Sequence, residues 1–317
     1  MTRFSVVIPT HRRRQTVLRG VAALDRQVER DFEVVVVVDG SGDGSAEALR
    51  SLSVSFPLQV IEQENMGAAQ ARNAGIAATV GEILLTLDDD MEAEPRMLLE
   101  HDRAHRAGVD VVLGDLPIHP DSPSNMLSWG VGEWARLRCE RLSAPGAEVR
   151  LDDLLTGQLS ISRRAFEAVG GFDAGFTRGG AFGGEDIDFG YRLLKTGFEI
   201  VFDPAAISYQ YYDVGPERYL RRAREAGWAD TELARKHPEL ASRMQAGPSF
   251  KTRRSRWLLT PFVYAPSALS RPLRAGAAAL VRSGRKGPRA RSLFFAVRTM
   301  EHLRGVRRAG DVTAAGG

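Results

Sequence analysis

Residues 4–8 (FSVVI) and 32–38 (FEVVVVV) are unbroken apolar runs rich in β-branched residues, the pattern of strands buried on both faces. Between them, residues 15–27 fit a helix whose Val17, Val21 and Leu24 share one side. The alternation continues with a helix over 45–52, a strand over 58–61, a helix over 68–78 and a strand over 82–87, then a helix over 95–106 and a strand over 109–113. Strands and helices taken in turn predict an α/β fold, a mostly parallel sheet with flanking helices. Beyond this the pattern loosens. Residues 114–155 are less regular, with one helix around Trp129 and Trp134. A strand over 158–162, a helix over 163–169, a glycine-rich loop, a helix ending at Lys195 and a helix over 217–236 follow.

Sheets of this kind bind ligands beyond the carboxyl ends of their strands. Three predicted strands end in polar runs, Pro9-Thr10-His11, residues 39–45 (DGSGDGS) and Asp88-Asp89-Asp90, which are expected to face one crevice. Two carboxylates ~4 Å apart repel by ~4 kcal/mol at an effective dielectric of ~20, so the triple aspartate calls for water or a cation. Mg²⁺ and Mn²⁺ take such oxygens together with substrate phosphates; a solvated acidic turn or a helix cap before Pro95 is the simpler alternative. A second acidic group, Glu185, Asp186 and Asp188, opens the helix after the glycine-rich loop. A carboxylate there can act as a general base or merely suit the helix N-terminus. Residues 64–75 (ENMGAAQARNAG) place Asn65 and Gly67 at a helix start, where free N–H groups suit an anionic or polar ligand. Arg72, within that helix, either reaches a phosphate or braces an acidic cluster.

At these residues the chain resembles glycosyltransferase family 2, nucleotide-sugar-dependent inverting enzymes of the GT-A fold. Five segments occur in that family's order: SVVIPTHRR, VVVVVDGSGDGS, ENMGAAQARNAGI, LDDDMEAEP as the DxD motif, and TGQLSISRRAFEAVGGFD followed by GGEDIDFGYRL. Together they cover roughly residues 3–205. The resemblance implies that Pro9 and Thr10 line a nucleotide pocket and that Asp39 accepts a hydrogen bond from the base, typically uracil. It further implies that Asn65, Gly67 and Arg72 help to hold the nucleotide and its diphosphate. Asp88 and Asp90 would form the metal pair, Asp90 most directly on Mn²⁺ or Mg²⁺, with Asp89 near the ribose or donor sugar. Asp186 would be the catalytic base, assisted by Glu185; Gly157 and Gln158 would sit beside the acceptor or donor sugar, and Arg192 would support the acidic loop. Two departures stand out. One acid, Asp39, precedes the glycine of the second motif, where the family often has two. The late strand, ISYQYYDV, lacks the histidine that is sometimes a third metal ligand, leaving Gln210 or Tyr211 as substitutes.

Composition adds a division of the chain. Residues 250–317 hold 15 Lys or Arg against Glu301 and Asp311, a balance of +13, whereas the remainder carries −10. The expected organisation is therefore a GT-A catalytic domain over 1–249, with a nucleotide-binding half (1–113) and an acceptor-binding half (114–249), followed by a basic, mainly helical tail over 250–317. Such a tail suits an anionic membrane surface, and with it a lipid-linked acceptor besides a sugar or small molecule; the simpler alternative is a solvated helical tail that packs against the catalytic domain. Nucleic acid would feel the same charge, but no recognised nucleic-acid fold accompanies it. The single Cys139 excludes an internal disulfide. No signal-peptide core or ~20-residue apolar span is evident. The expectation is cytoplasmic residence, peripheral to the inner face of the membrane. A nucleotidyltransferase and a non-catalytic carbohydrate-binding or membrane-scaffolding protein are the rival readings. The first normally has a glycine-rich basic loop after its first strand, where PTHRRR has no glycine; the second has no need of clustered Asp88, Asp90 and Asp186.

Overall fold

A computed structural model describes residues 2–178, 183–242, 253–284 and 287–314. These fall into two compact units, one made of residues 2–122, 131–178 and 185–212, the other of 123–130, 183–184 and the chain from 213 onward.

The first unit is built on an eight-stranded sheet in the order β3-β2-β1-β4-β7-β6-β8-β5. Strands β1 (Phe4–Thr10), β2 (Phe32–Asp39), β3 (Leu58–Gln63) and β4 (Ile83–Leu87) are parallel. They alternate with α1 (Arg14–Leu24), α2 (Ser45–Arg50) and α3 (Ala68–Ala77), the expected βαβ succession. The unbroken apolar runs have the expected cause: Phe4, Val6 and Ile8 pack with Val17, Val21 and Leu24 of α1 on one face. Val7 packs on the other with Ala69 and Ile76 of α3. The remaining strands are β5 (Met91–Ala93), β6 (Val111–Asp115), β7 (Gln158–Ser162) and β8 (Ile200–Gln210), accompanied by α4 (Met97–Arg106), α5 (Met126–Leu142), α6 (Arg163–Val169) and α7 (Glu185–Leu194).

The sheet is more mixed than the mostly parallel one expected. β7 lies antiparallel between β4 and β6, and β5 is antiparallel to β8. The cause is where the intervening chain ends: Gln158 starts β7 opposite Leu87, at the carboxyl end of β4. The strand can therefore only run back down the sheet, and its start delivers Gly157 to the edge where Asp88 emerges.

The second unit is helical. α8 (Pro216–Lys236) lies beside the long helix α11 (Pro288–Ala314), with α9 (Arg253–Tyr264) and α10 (Arg271–Arg282) also against α11. Tyr219 meets Phe294, Arg224 pairs with Glu301, and Arg235 reaches the carbonyl of Ala309, so α8 and α11 run in the same direction. Among the described residues no helix is long and apolar enough to cross a membrane.

Candidate active site

The loops after β1, β2 and β4 converge as their polar ends suggested. Asp39 is buried, its Oδ1 accepting from Gln63 Nε2 at 2.7 Å and the Met66 N–H at 2.8 Å, its Oδ2 from the Gly67 N–H at 2.8 Å. A carboxylate has about four lone-pair sites; three are spent on holding the segment before α3, leaving one for a ligand. Gly67 has φ +90°, and a Cβ there would stand 1.9 Å from the Thr177 carbonyl, so no other residue suits this helix start. Pro9 is half-buried and Asn65 exposed; the Asn65 backbone lies against Gly40, while the His11 ring nitrogen Nδ1 donates to the Asp39 carbonyl at 2.5 Å.

The three aspartates after β4 part company. Asp88, 36% exposed, accepts from Arg72 Nη2 at 2.8 Å, and its own N–H donates to the Gly157 carbonyl at 2.9 Å. Asp89 and Asp90 are buried. Asp89 accepts from Thr10 Oγ1 at 2.7 Å and from Arg13 Nη1 at 2.5 Å; Asp90 Oδ2 lies 3.0 Å from the same nitrogen. Burial pushes the Asp90 carboxyl up to about 6 against the pull of Arg13. Its Oδ1 is buried with no hydrogen-bond partner among the described residues.

The second acidic group enters from α7. Glu185 and Asp186 meet the same guanidinium that holds Asp88: Arg72 Nη1 is 3.2 Å from Glu185 Oε1 and 3.7 Å from Asp186 Oδ1. Arg72 is itself buried, its guanidinium over the Phe172 ring at 5.5 Å. Of the two roles left open for Arg72, these contacts are those of a brace. Burial raises the Glu185 carboxyl to about 7, with Asp186 adding to the rise, and burial also raises Asp186. Thr156 Oγ1 donates to Asp186 Oδ1. Arg192 supports the acidic helix as expected, donating to Asp188 at 2.9 Å and to the Val169 and Gly171 carbonyls.

Gln158 lies elsewhere. Its side chain is buried, donating from Nε2 to the Ala206 carbonyl at 3.1 Å and to His101 Nε2 at 3.3 Å, and it does not join the carboxylates. His105 Nδ1 faces the Val109 carbonyl at 2.8 Å, so that nitrogen carries the proton and Nε2 accepts from Ser160 Oγ at 2.7 Å. Ser160 Oγ then accepts from His101 Nδ1 at 2.7 Å, and His101 Nε2 accepts from Gln158. The chain of donors runs one way, from the buried Gln158 and His101 to the half-buried His105. Gly157, by contrast, is at the site: a Cβ there would lie 3.1 Å from Asp88 Oδ2.

Sequence reasoning missed Arg13 and Thr156, which make the tightest contacts to Asp89 and Asp186. Arg13 is one of three successive arginines and nothing local distinguishes it; Thr156 stands beside Gly157 in the TGQ segment, and that adjacency was its only signal. Tyr211 donates its N–H to the Asp90 carbonyl at 2.7 Å, but its ring lies under Arg19 at 5.2 Å. His119, from the loop after β6, also reaches this region edge-on to Tyr211, although Arg19 engages its ring. No group of three His, Cys, Asp or Glu side chains forms a ready metal site among the described residues.

Residues 5–142 match the family described as Glycosyl transferase family 2, and residues 138–213 match the N-terminal domain of galactosyltransferase. Validoxylamine A glucosyltransferase of Streptomyces hygroscopicus subsp. jinggangensis is 32% identical over 268 residues, covering 74% of this chain and 61% of that protein. The same enzyme from subsp. limoneus is also 32% identical, with 57% of its length covered, so the chain spans less than two thirds of either relative. Among solved structures, a mannosyltransferase from Pyrobaculum calidifontis in complex with GDP-Man and Mn²⁺ superposes with a TM-score of 0.60 at 18% identity, covering 95% of this chain and 85% of that one. S. aureus TarS in complex with UDP-GlcNAc gives 0.51 at 18% identity, with 97% and 92% covered. These structures share the GT-A fold, a mixed sheet with flanking helices, found here. With the family's five segments in order, and with the sequence and fold matches agreeing, this chain belongs to glycosyltransferase family 2.

Proposed function

We propose that the protein transfers a sugar from a nucleoside-diphosphate sugar, most simply a UDP-sugar, to an acceptor hydroxyl with inversion at the anomeric carbon. The observation that carries this reading is that Asp88 of the first acidic group and Glu185 and Asp186 of the second, distant in the chain, meet a single buried arginine. Two functions are thereby held at a fixed separation, one for the leaving group and one for the nucleophile. Asp186 takes the proton of the acceptor hydroxyl as its oxygen bonds to the anomeric carbon. The bond from that carbon to the diphosphate breaks, and the nucleoside diphosphate leaves with the electron pair. Glu185, its carboxyl raised by burial to about 7, carries only part of a negative charge beside the base near neutral pH. Pro9, Thr10, Asp39, Asn65 and Gly67 border the nucleotide side, and Asp89 lies nearest the ribose or donor sugar.

The unpartnered, buried Asp90 Oδ1 is a hard oxygen donor that fits Mn²⁺ or Mg²⁺, and Asp88 offers a second carboxylate at the same edge. A divalent ion held by Asp90 and Asp88 would supply Lewis-acid stabilisation of the diphosphate charge. The test is a thermal-shift panel of nucleotide sugars with Mn²⁺ or Mg²⁺, followed by transfer and hydrolysis assays on the best binder. Asp186→Asn should abolish transfer while leaving UDP affinity nearly unchanged. Full activity in that variant would remove Asp186 as the base, and UDP binding indifferent to Mn²⁺ would reject the metal role.

The acceptor is a sugar, a small molecule or a lipid-linked hydroxyl, and one surface favours contact with an anionic membrane. Helix α9 turns Leu259 and Val263 inward but leaves Trp257 83% and Tyr264 65% exposed. Residues 254, 257, 261 and 264 share its outer side, so Arg254 and Pro261 join the two aromatics there. Two aromatic rings with a basic residue one turn before them suit the boundary between headgroups and acyl chains.

A further inference from the structure

We infer that Thr156 is a positioning residue for the base, a role that rests on the proposed transfer reaction. Its hydroxyl is fully buried and donates to Asp186 Oδ1. Arg72 Nη1 stands 3.7 Å from that same oxygen, and the side chain keeps 28% of its surface exposed, so with Oδ1 turned to Thr156 and Arg72 we assign the acceptor proton to Oδ2. A carboxylate hydrogen-bonded by a hydroxyl, with a guanidinium charge near the same oxygen, resists the rotation about its Cβ–Cγ bond that would otherwise exchange the two oxygens.

Packing fixes the hydroxyl in turn. Asp186 and Gly190 are four residues apart and lie on one face of α7. Leu154 is buried against Gly190, where an added Cβ would approach Leu154 Cβ to 2.8 Å, and two residues later Thr156 meets Asp186. The next residue continues the connection, since the Gly157 carbonyl accepts from the Asp88 N–H at 2.9 Å. Residues 154–157 therefore grip the first turns of α7 with one end and the carboxyl end of β4 with the other. The base and the diphosphate edge are set relative to each other by four consecutive residues, and Thr156 is the member whose functional group touches the base.

Thr156→Val preserves shape and removes the donor. Once transfer by the wild-type protein has been demonstrated, its kcat should fall roughly 100-fold, the cost of a misplaced catalytic group, with donor KM and UDP affinity unchanged. Thr156→Ser restores the hydroxyl and should stay within about threefold of wild type. Thr156→Ala carries the same expectation as the valine variant and serves if valine prevents folding. Wild-type kcat in Thr156→Val or Thr156→Ala would overturn the inference, as would an equal loss in Thr156→Ser. Absence of transfer by the wild type with every donor would instead overturn the proposed function, so the two failures are distinct.

Discussion

Arg72 is buried with carboxylates on two sides, and its contacts with Asp88, Glu185 and Asp186 are what make two acidic motifs one site. Either group alone would cost several kcal/mol to bury unpaired. The residue types were readable, because three aspartates after an apolar run and an acidic helix start are visible one-dimensionally. Their partners were not: Arg13 and Thr156 are separated from Asp89 and Asp186 by 76 and 30 positions. Gln158 illustrates the converse, since its neighbours in sequence are at the site but strand alternation turns its side chain to His101. That histidine yields a prediction. Burial depresses His101 to about 3 and His105 to about 4, so both fold as neutral rings, whereas the unfolded chain binds protons below about 6.5. Their contribution is complete above that value and is lost as pH falls toward the folded values, roughly 3 kcal/mol for His101 by pH 4. Urea unfolding at pH 7.5 and at 5 should show a drop in stability that is reduced in His101→Gln; an identical drop in that variant would refute the assignment.

At the scale of elements, β1 to β4 and their helices were legible to within a few residues, because continuous apolar runs separated by amphipathic segments permit few other arrangements. The direction of β7 was not, since a buried five-residue strand reads the same whether parallel or antiparallel, and only the return of the chain to the end of β4 decides it. The three-residue β5 carries too few positions for any period. The contact between α8 and α11 was equally hidden, although its glycines are in plain view. A Cβ on Gly227 would lie 2.0 Å from the His302 carbonyl and one on Gly305 would lie 1.9 Å from the Arg224 carbonyl, so the helices touch backbone to backbone. Alanine normally gains about 1 kcal/mol over glycine inside a helix. Here overpacking reverses the sign: Gly305→Ala should cost about 1–3 kcal/mol net in chemical unfolding. A stabilised variant would mean that the helices separate freely.

For the whole molecule, the charge division between residues 1–249 and 250–317 leads to a test of membrane contact. Each basic residue near an anionic surface contributes ~1 kcal/mol, and the attraction is screened beyond ~8 Å at 0.15 M salt. The protein should sediment with phosphatidylglycerol vesicles at low salt, not with phosphatidylcholine vesicles, and a Trp257→Ser/Tyr264→Ser double variant should bind several-fold more weakly. No binding at low salt would end the proposal; undiminished binding by the double variant would remove α9 as the contact. The basic tail is half the reason for that expectation, and the sequence supplied it entirely. The sequence by itself determined the alternating architecture, the acidic strand end, the acidic helix start and the family, because these depend on local period and on the order of short segments. Only the tertiary structure decided the direction of β7, the use of Arg72 as a shared brace, the burial of Gln158 and the hold of Thr156 on Asp186. Each of these is a contact between distant residues, and such contacts are fixed by the packing of layers rather than by any neighbouring pattern.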